Sequence, residues 1–305
     1  MVRRKAPLEA SYARTGYLLL LPAGLVIGLV TLFPILYSIW VSFHHVDLSL
    51  SGTHYTWAGL ANYILIFHSE RFWYSLIFTV LYALGSVLIE LVLGMILALI
   101  MNYPIRGRGV AMAIMLIPWS LITVISAEMW SYIYNATYGL LNYLLESVGL
   151  IHHAVVWLGT PNLAIMSMVI ADVWKTTPFV ALILLAGLQL IPAELYEAAT
   201  IDGASSWIAF WKITVPLLSG SLLLSILFRM LQAFGIFDLP FVLTGGGPGH
   251  STTSIAIFAW QVMFRDLRFG PGTGIAIITV LVNLILAVLF IRLFGRGAIV
   301  AEESR

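Results

Sequence analysis

The sequence contains no cysteine, so a disulfide framework, a thiolate metal site and a cysteine nucleophile are all closed to it. Charge is nearly as scarce: Asp, Glu, Lys and Arg make up 10% of residues, against about a quarter in soluble domains. With 61% hydrophobic residues and a mean hydropathy of +0.99, this excludes an ordinary soluble core and demands a membrane. The net charge of +1 singles out neither nucleic acid nor a polyanion as partner. Catalytic signatures are missing too, with no G-x-S-x-G elbow and no H-E-x-x-H pair. His152 and His153 are adjacent and would point apart on any regular element, and no Cys or acidic set completes a metal site beside them, so they read as loop histidines. The glycine-rich stretch from Thr244 to Thr252 looks like a phosphate loop but lacks the lysine of G-x-x-x-x-G-K-[ST], and reads as a tight turn. An inverted internal repeat is also absent, which weighs against the common repeat-built secondary carriers.

What is present is a series of six apolar runs, at about 17–43, 73–101, 111–134, 163–186, 217–239 and 273–294, each long enough for a hydrocarbon core of about 30 Å. The first follows Arg3, Arg4, Lys5 and Arg14; it is too long for a signal-peptide core and no cleavage site follows, so it reads as an uncleaved span. Pro22 and Pro34 are expected to kink it, and Gly24 and Gly28 have the small-xxx-small spacing of a helix contact. Residues 44–72 read as a polar, aromatic loop. Six spans place both termini on one side, together with Arg3, Arg4, Lys5, Arg14, Arg106, Arg108, Lys212, Arg292, Arg296 and Arg305. Only Arg71, Arg265 and Arg268 fall opposite, so the positive-inside rule makes the first side cytoplasm. The expectation is one all-α membrane domain over residues 1–305.

The longest polar interruption, at about 192–215, separates the fourth and fifth runs. Pro192 starts a short helix to about Ile201, with Glu194 and Glu197 in the early turns where carboxylates favour the helix dipole. Asp202-Gly203 is the turn, and Ser205 or Ser206 caps a second short helix to about Thr214, after which Pro216 opens the next run. Ala198 and Ala199 leave one side of the first helix without bulk, as suits a surface to be docked. The order Glu197-Ala198-Ala199, Gly203, Ile213 and Pro216 resembles the cytoplasmic signature of permease subunits of binding-protein-dependent ABC importers, and Asp202 is similar to the sugar-importing branch.

The resemblance implies a type I ABC importer permease fold: six transmembrane helices with a coupling helix-turn-helix between the fourth and fifth. Glu197, Ala198, Ala199, Asp202 and Gly203 would then dock an ATPase. Residues 173–205, the stretch FDLPFVLTGGGP at 237–248 and GLANY at 59–63 look like maltose-type carbohydrate permeases, and this chain looks like the first of their two permeases. Implied partners are a second homologous permease, an ABC ATPase dimer that binds ATP and Mg, an extracytoplasmic solute-binding protein or lipoprotein, and membrane lipid, with no nucleic acid. The chain itself would hold no cofactor, metal or nucleotide and would be no enzyme. Its place would be a bacterial or archaeal cytoplasmic membrane, and its solute a di- or oligosaccharide or a related molecule, an anionic one included because of Arg229.

Polar residues inside the spans mark the translocation path, because charges in apolar spans face a partner or a water-filled cavity. Glu90, Glu128, Asp172, Lys175 and Arg229 all fall there. Three stripes have helical spacing: Asp172, Lys175, Thr176 and Phe179; Arg229, Gln232, Ala233 and Ile236; Thr123, Ser126, Ala127 and Trp130. At about 1.5 Å per residue, Lys175 and Arg229 both approach the midplane. On one reading Thr123, Ser126, Trp130, Lys175, Thr176, Phe179, Arg229 and Gln232 line the path, hydroxyls and amide meeting a sugar's rim, with Trp130, Trp174 or Phe179 meeting its apolar face. On the other, the charges pair among themselves, Asp172 with Lys175 and Arg229 with Glu128 or Glu90, and hold the bundle together. An ion-coupled carrier would instead use Asp172, Glu128 or Glu90 as its ion site.

Overall fold

A computed structural model describes residues 7–49, 52–104 and 106–303; Arg3, Arg4, Lys5 and Arg305, used above for orientation, lie outside them. The chain divides into two compact units, residues 1–68 with 260–277, and residues 69–259 with 278–305. Among the described residues, four helices are long and apolar enough to cross a membrane, or six when each of two bent pairs is taken as one span, which agrees with the six apolar runs.

The first span joins α1 (Pro7–Ile27) to α2 (Phe33–Ser42) through a wide turn at Gly28–Leu32, where Phe33 N reaches back five residues to Gly28 O. Pro34 follows directly on this wide turn, and the helix runs on unbroken from Thr15 to Ser42. Large side chains such as Leu19, Leu25, Leu29 and Phe33 are exposed along this span, a surface suited to hydrocarbon.

The expected loop at 44–72 is structured: a two-stranded ribbon and a short helix are set into the otherwise all-helical fold. Strands β1 (His44–Ser49) and β2 (Gly52–Trp57) pair antiparallel, His44 opposite Trp57 and Ser49 opposite Gly52. Val46, Thr53, Tyr55 and Trp57 are residues that favour a pleated ribbon, and they account for it. In α3 (Ala61–Phe67), buried Asn62 donates to Ser42 O at 2.8 Å and His44 O at 3.0 Å, tying the helix to the start of the ribbon. Gly270 lies so close to this knot that a Cβ there would collide with His44 O and the Asn62 amide.

The second span is one helix, α4 (Glu70–Asn102), whose cap Ser69 accepts from Phe72 N at 3.4 Å. The third, expected at 111–134, is a bent span. It is broken into α5 (Arg108–Ser120) and α6 (Thr123–Ile133), bent by 92°, because Leu121 and Ile122 are extended just after Pro118. The loop that follows carries α7 (Leu140–Ser147), and the fourth span is α8 (Pro161–Leu188), close to the expected 163–186. Helices α4 and α8 meet at Gly94, where a Cβ would lie 2.7 Å from Val180 Cγ1.

After α9 (Ala193–Ile201) and α10 (Ser206–Ala209), the chain runs on through a wide turn at Phe210–Thr214 and α11 (Val215–Leu217) into α12 (Ser219–Phe234), with a 66° bend between α11 and α12. The fifth span therefore corrects the expected 217–239 at both ends. The second short helix does not stop at Thr214, and Gly235 ends α12 before the separate helix α13 (Asp238–Thr244). A short apolar helix, α14 (Ile255–Trp260), continues through a wide turn at Gln261–Arg265 where a loop was expected. The last helix, α15 (Phe269–Glu303), begins four residues before the expected 273.

Candidate functional site

Three spans of the second unit bring their charges to one buried point. Arg229 of α12 donates to both carboxylate oxygens of Glu90 on α4, Nη2 to Oε1 at 2.8 Å and Nε to Oε2, and its Nη2 also reaches Asp172 Oδ2 of α8 at 3.3 Å. Tyr82 donates to the same Asp172 oxygen at 2.8 Å, and Thr176 donates to Glu90 Oε1 at 2.8 Å. Glu90, Asp172, Thr176 and Arg229 are all buried. The pairing reading therefore holds for Arg229 with Glu90, but Asp172 does not pair with Lys175. A planar guanidinium that forks to two carboxylates outcompetes a flexible neighbour one turn away on the same helix. Glu128 is exposed and takes no part in an ion pair among the described residues.

The expected path residues divide accordingly. Thr176 and Arg229 lie inside the cluster, while Gln232, one turn beyond Arg229, is exposed. Its Oε1 accepts from Arg229 Nη1 at 2.9 Å. Phe179 stacks on Trp119 at 5.3 Å and meets Phe228 edge-on at 6.2 Å, so aromatic rings run from the third span across the fourth to the fifth. Trp130 packs edge-on against Trp174 at 5.6 Å. Thr123 and Lys175 are half-buried. Ser126 is buried, and neither its hydroxyl nor Trp130 Nε1 has a hydrogen-bond partner among the described residues.

Sequence reasoning missed Tyr82, although the signal was there. Ser75, Thr79, Tyr82, Ser86 and Glu90 form a fourth stripe of helical spacing on α4, and all five are buried. Thr79 uses it to hold the chain after the fifth span, its Oγ1 accepting from Ile255 N at 2.8 Å.

The two-helix loop between the fourth and fifth spans has the expected local form, with Pro192 as the cap and α9 beginning at Ala193. Gly203 has φ of 74°, a left-handed turn that other residues adopt at a cost. Ser205 caps α10 by accepting from Ile208 N at 3.4 Å. Glu197, Ala198, Asp202 and Gly203 are exposed, and Ala199 is half-buried. The loop is anchored by Tyr196, a second residue that sequence reasoning passed over. Its hydroxyl bonds Thr214 Oγ1 at 2.9 Å, and its ring packs with Ile213 and Leu217 on a core of Leu184, Leu185, Leu188 and Ile191.

In the glycine-rich stretch, Gly245, Gly246 and Gly249 have positive φ, and the amides of Gly245, Gly246 and Gly247 bond to Phe241 O, Pro240 O and Thr244 O. Donors committed to their own turn are not arranged as a phosphate cradle.

A family described as the binding-protein-dependent transport system inner membrane component matches residues 90–297. The trehalose/maltose transport system permease protein MalF of Thermococcus litoralis is 43% identical over 280 residues, covering 92% of this chain and 93% of that protein. The trehalose transport system permease protein SugA of Mycobacterium tuberculosis is 36% identical, covering 95% and 92%. The sulfoquinovosyl glycerol transport system permease protein SmoG of Agrobacterium fabrum is 34% identical, covering 90% and 89%. Among solved structures, a chain of a bacterial ABC transporter that imports the acidic polysaccharide alginate superposes with a TM-score of 0.79 at 22% identity, covering 94% of this chain and 97% of that one. A chain of the alginate transporter in complex with its alginate pentasaccharide-bound periplasmic protein superposes at 0.80 and 21%, covering 96% and 98%. At that identity the likeness shows a shared fold.

Proposed function

Because the chain belongs to the binding-protein-dependent transport system inner membrane components, we propose that it is a permease subunit of an ATP-driven sugar importer, forming the solute path together with a second, homologous permease. Each permease docks one subunit of an ABC ATPase dimer, which binds ATP and Mg, and an extracytoplasmic binding protein delivers the sugar. Both termini and the two-helix loop face the cytoplasm of a bacterial or archaeal cell. The observation that carries this reading is the two-helix loop itself. It lies within the matched residues 90–297, leaves Glu197, Ala198, Asp202 and Gly203 exposed on its surface, and is rooted through Tyr196 and Ile213 in the ends of the fourth and fifth spans.

The mechanism is alternating access. ATP closes the ATPase dimer, α9 moves with the subunit it docks, and the spans rooted to α9 turn to open the path outward; hydrolysis reverses the motion. Gln232, Lys175, Phe179, Thr123, Ser126 and Trp130 border the path, and Arg229 and Thr176 support it from behind. The names of the relatives favour trehalose, maltose or a related glycoside as the solute. The test is uptake of labelled trehalose and maltose by vesicles that hold the complete importer and its binding protein. Uptake is expected when ATP is enclosed, and not when a proton or sodium gradient is the sole energy source. Uptake driven by the gradient alone would replace this reading with an ion-coupled carrier.

A further inference from the structure

The Arg229 guanidinium carries hydrogen-bond donors and no acceptor, so the group it meets on Gln232 must be the amide oxygen. Arg229 cannot turn away to release that oxygen, because its other nitrogens are held by Glu90 and Asp172. The Gln232 Nε2 has no partner among the described residues, and the side chain is exposed. Gln232 also follows Leu224 and Phe228 at four-residue steps along the exposed face of α12, and Phe228 continues into the ring row of Phe179 and Trp119.

We infer that Arg229 is a positioning residue that fixes the Gln232 carboxamide as a one-way donor beside an aromatic row, so that this point of the path selects solutes presenting an acceptor oxygen there. Such an oxygen is a ring or glycosidic oxygen, a hydroxyl accepting through its lone pair, or an acid oxygen. The inference rests on the permease reading above and names what that path recognises. An unclamped glutamine would offer either end of its amide and discriminate less.

The experiment compares wild type, Gln232→Glu, and the neutral triple variant Arg229→Met, Glu90→Gln, Asp172→Asn. Each is reconstituted with the partner subunits and binding protein, and uptake of labelled trehalose and maltose is measured. Gln232→Glu turns a donor into an acceptor, and is expected to raise the KM for the transported sugar about tenfold or more, the equivalent of ~1.4 kcal/mol. The triple variant frees the amide, and is expected to narrow the ratio of the two KM values while the complex still assembles. An unchanged KM for Gln232→Glu overturns the inference and leaves the permease reading standing; if the triple variant does not assemble, that KM decides alone. Absence of ATP-driven uptake by wild type would instead remove the permease reading.

Discussion

Arg229 and Glu90, 139 residues apart in sequence, meet through two hydrogen bonds between buried side chains, and the same guanidinium also reaches Asp172. A buried ion pair adds little net stability over a well-packed apolar pair, but losing one partner leaves the others uncompensated. Arg229→Met alone is therefore expected to destabilise the protein by about 3–5 kcal/mol. The triple variant with Glu90→Gln and Asp172→Asn should recover most of that loss. Thermal unfolding in detergent checks both, and equal stability for the single and triple variants would contradict the cluster.

Gly203 turns the chain between the two short helices with φ of 74°. Gly203→Ala should cost about 1 kcal/mol locally and leave coupling weakened but present. Gly203→Pro, whose φ is fixed near −65°, cannot make the turn. Its expected outcome is ATP hydrolysis separated from uptake, or an ATPase that no longer co-purifies, with the permease still in the membrane. Normal ATP-driven uptake by the proline variant would count against α9 as the docking element.

Asn142 closes the loop after the third span with four hydrogen bonds. It donates to Ala136 O and Val155 O, and accepts from Val155 N and Trp157 Nε1. Asn142→Leu keeps the branching but not the polar atoms, and strands those groups, at about 1–3 kcal/mol for each one left buried. Residues 136–157 should then exchange amide hydrogens faster while the spans keep their protection.

Gly94 and Gly187 leave no room for a side chain against the neighbouring helix. An added Cβ at Gly94 would lie 2.7 Å from Val180 Cγ1 and 3.2 Å from Ala181 N; at Gly187 it would meet Leu218 Cδ1 at 2.6 Å. Gly94→Val is expected to lose about 1–3 kcal/mol to overpacking. The pair Gly94→Ala with Val180→Ala should fare better than Gly94→Ala alone, which a stability comparison in detergent would register.

The spans that are single helices were legible, because a long apolar run has one solution in a bilayer: all its amides must bond internally, so it is helical from end to end. The breaks at Leu121 and Leu218 were not, since the residues around them are as apolar as the helices they interrupt and hydropathy does not register direction. The ribbon at 44–57 was hidden for a related reason, as its pairing depends on cross-strand partners and not on run length. In the charge cluster, the participants were visible as costly residues in apolar spans. The choice of Glu90 over Glu128 for Arg229 depends on how each span is rotated, a property of the packed bundle.

The buried cluster has a consequence for how the chain is made. Glu90 and Asp172 enter the membrane with the second and fourth spans, and the cation that pairs with both among the described residues arrives with the fifth. A growing chain therefore carries two acids without their counter-charge until residue 229 has been synthesised and α12 inserted. A fragment that stops short of it holds two acids in the bilayer without the guanidinium that bonds them, so the arrival of one arginine completes the cluster.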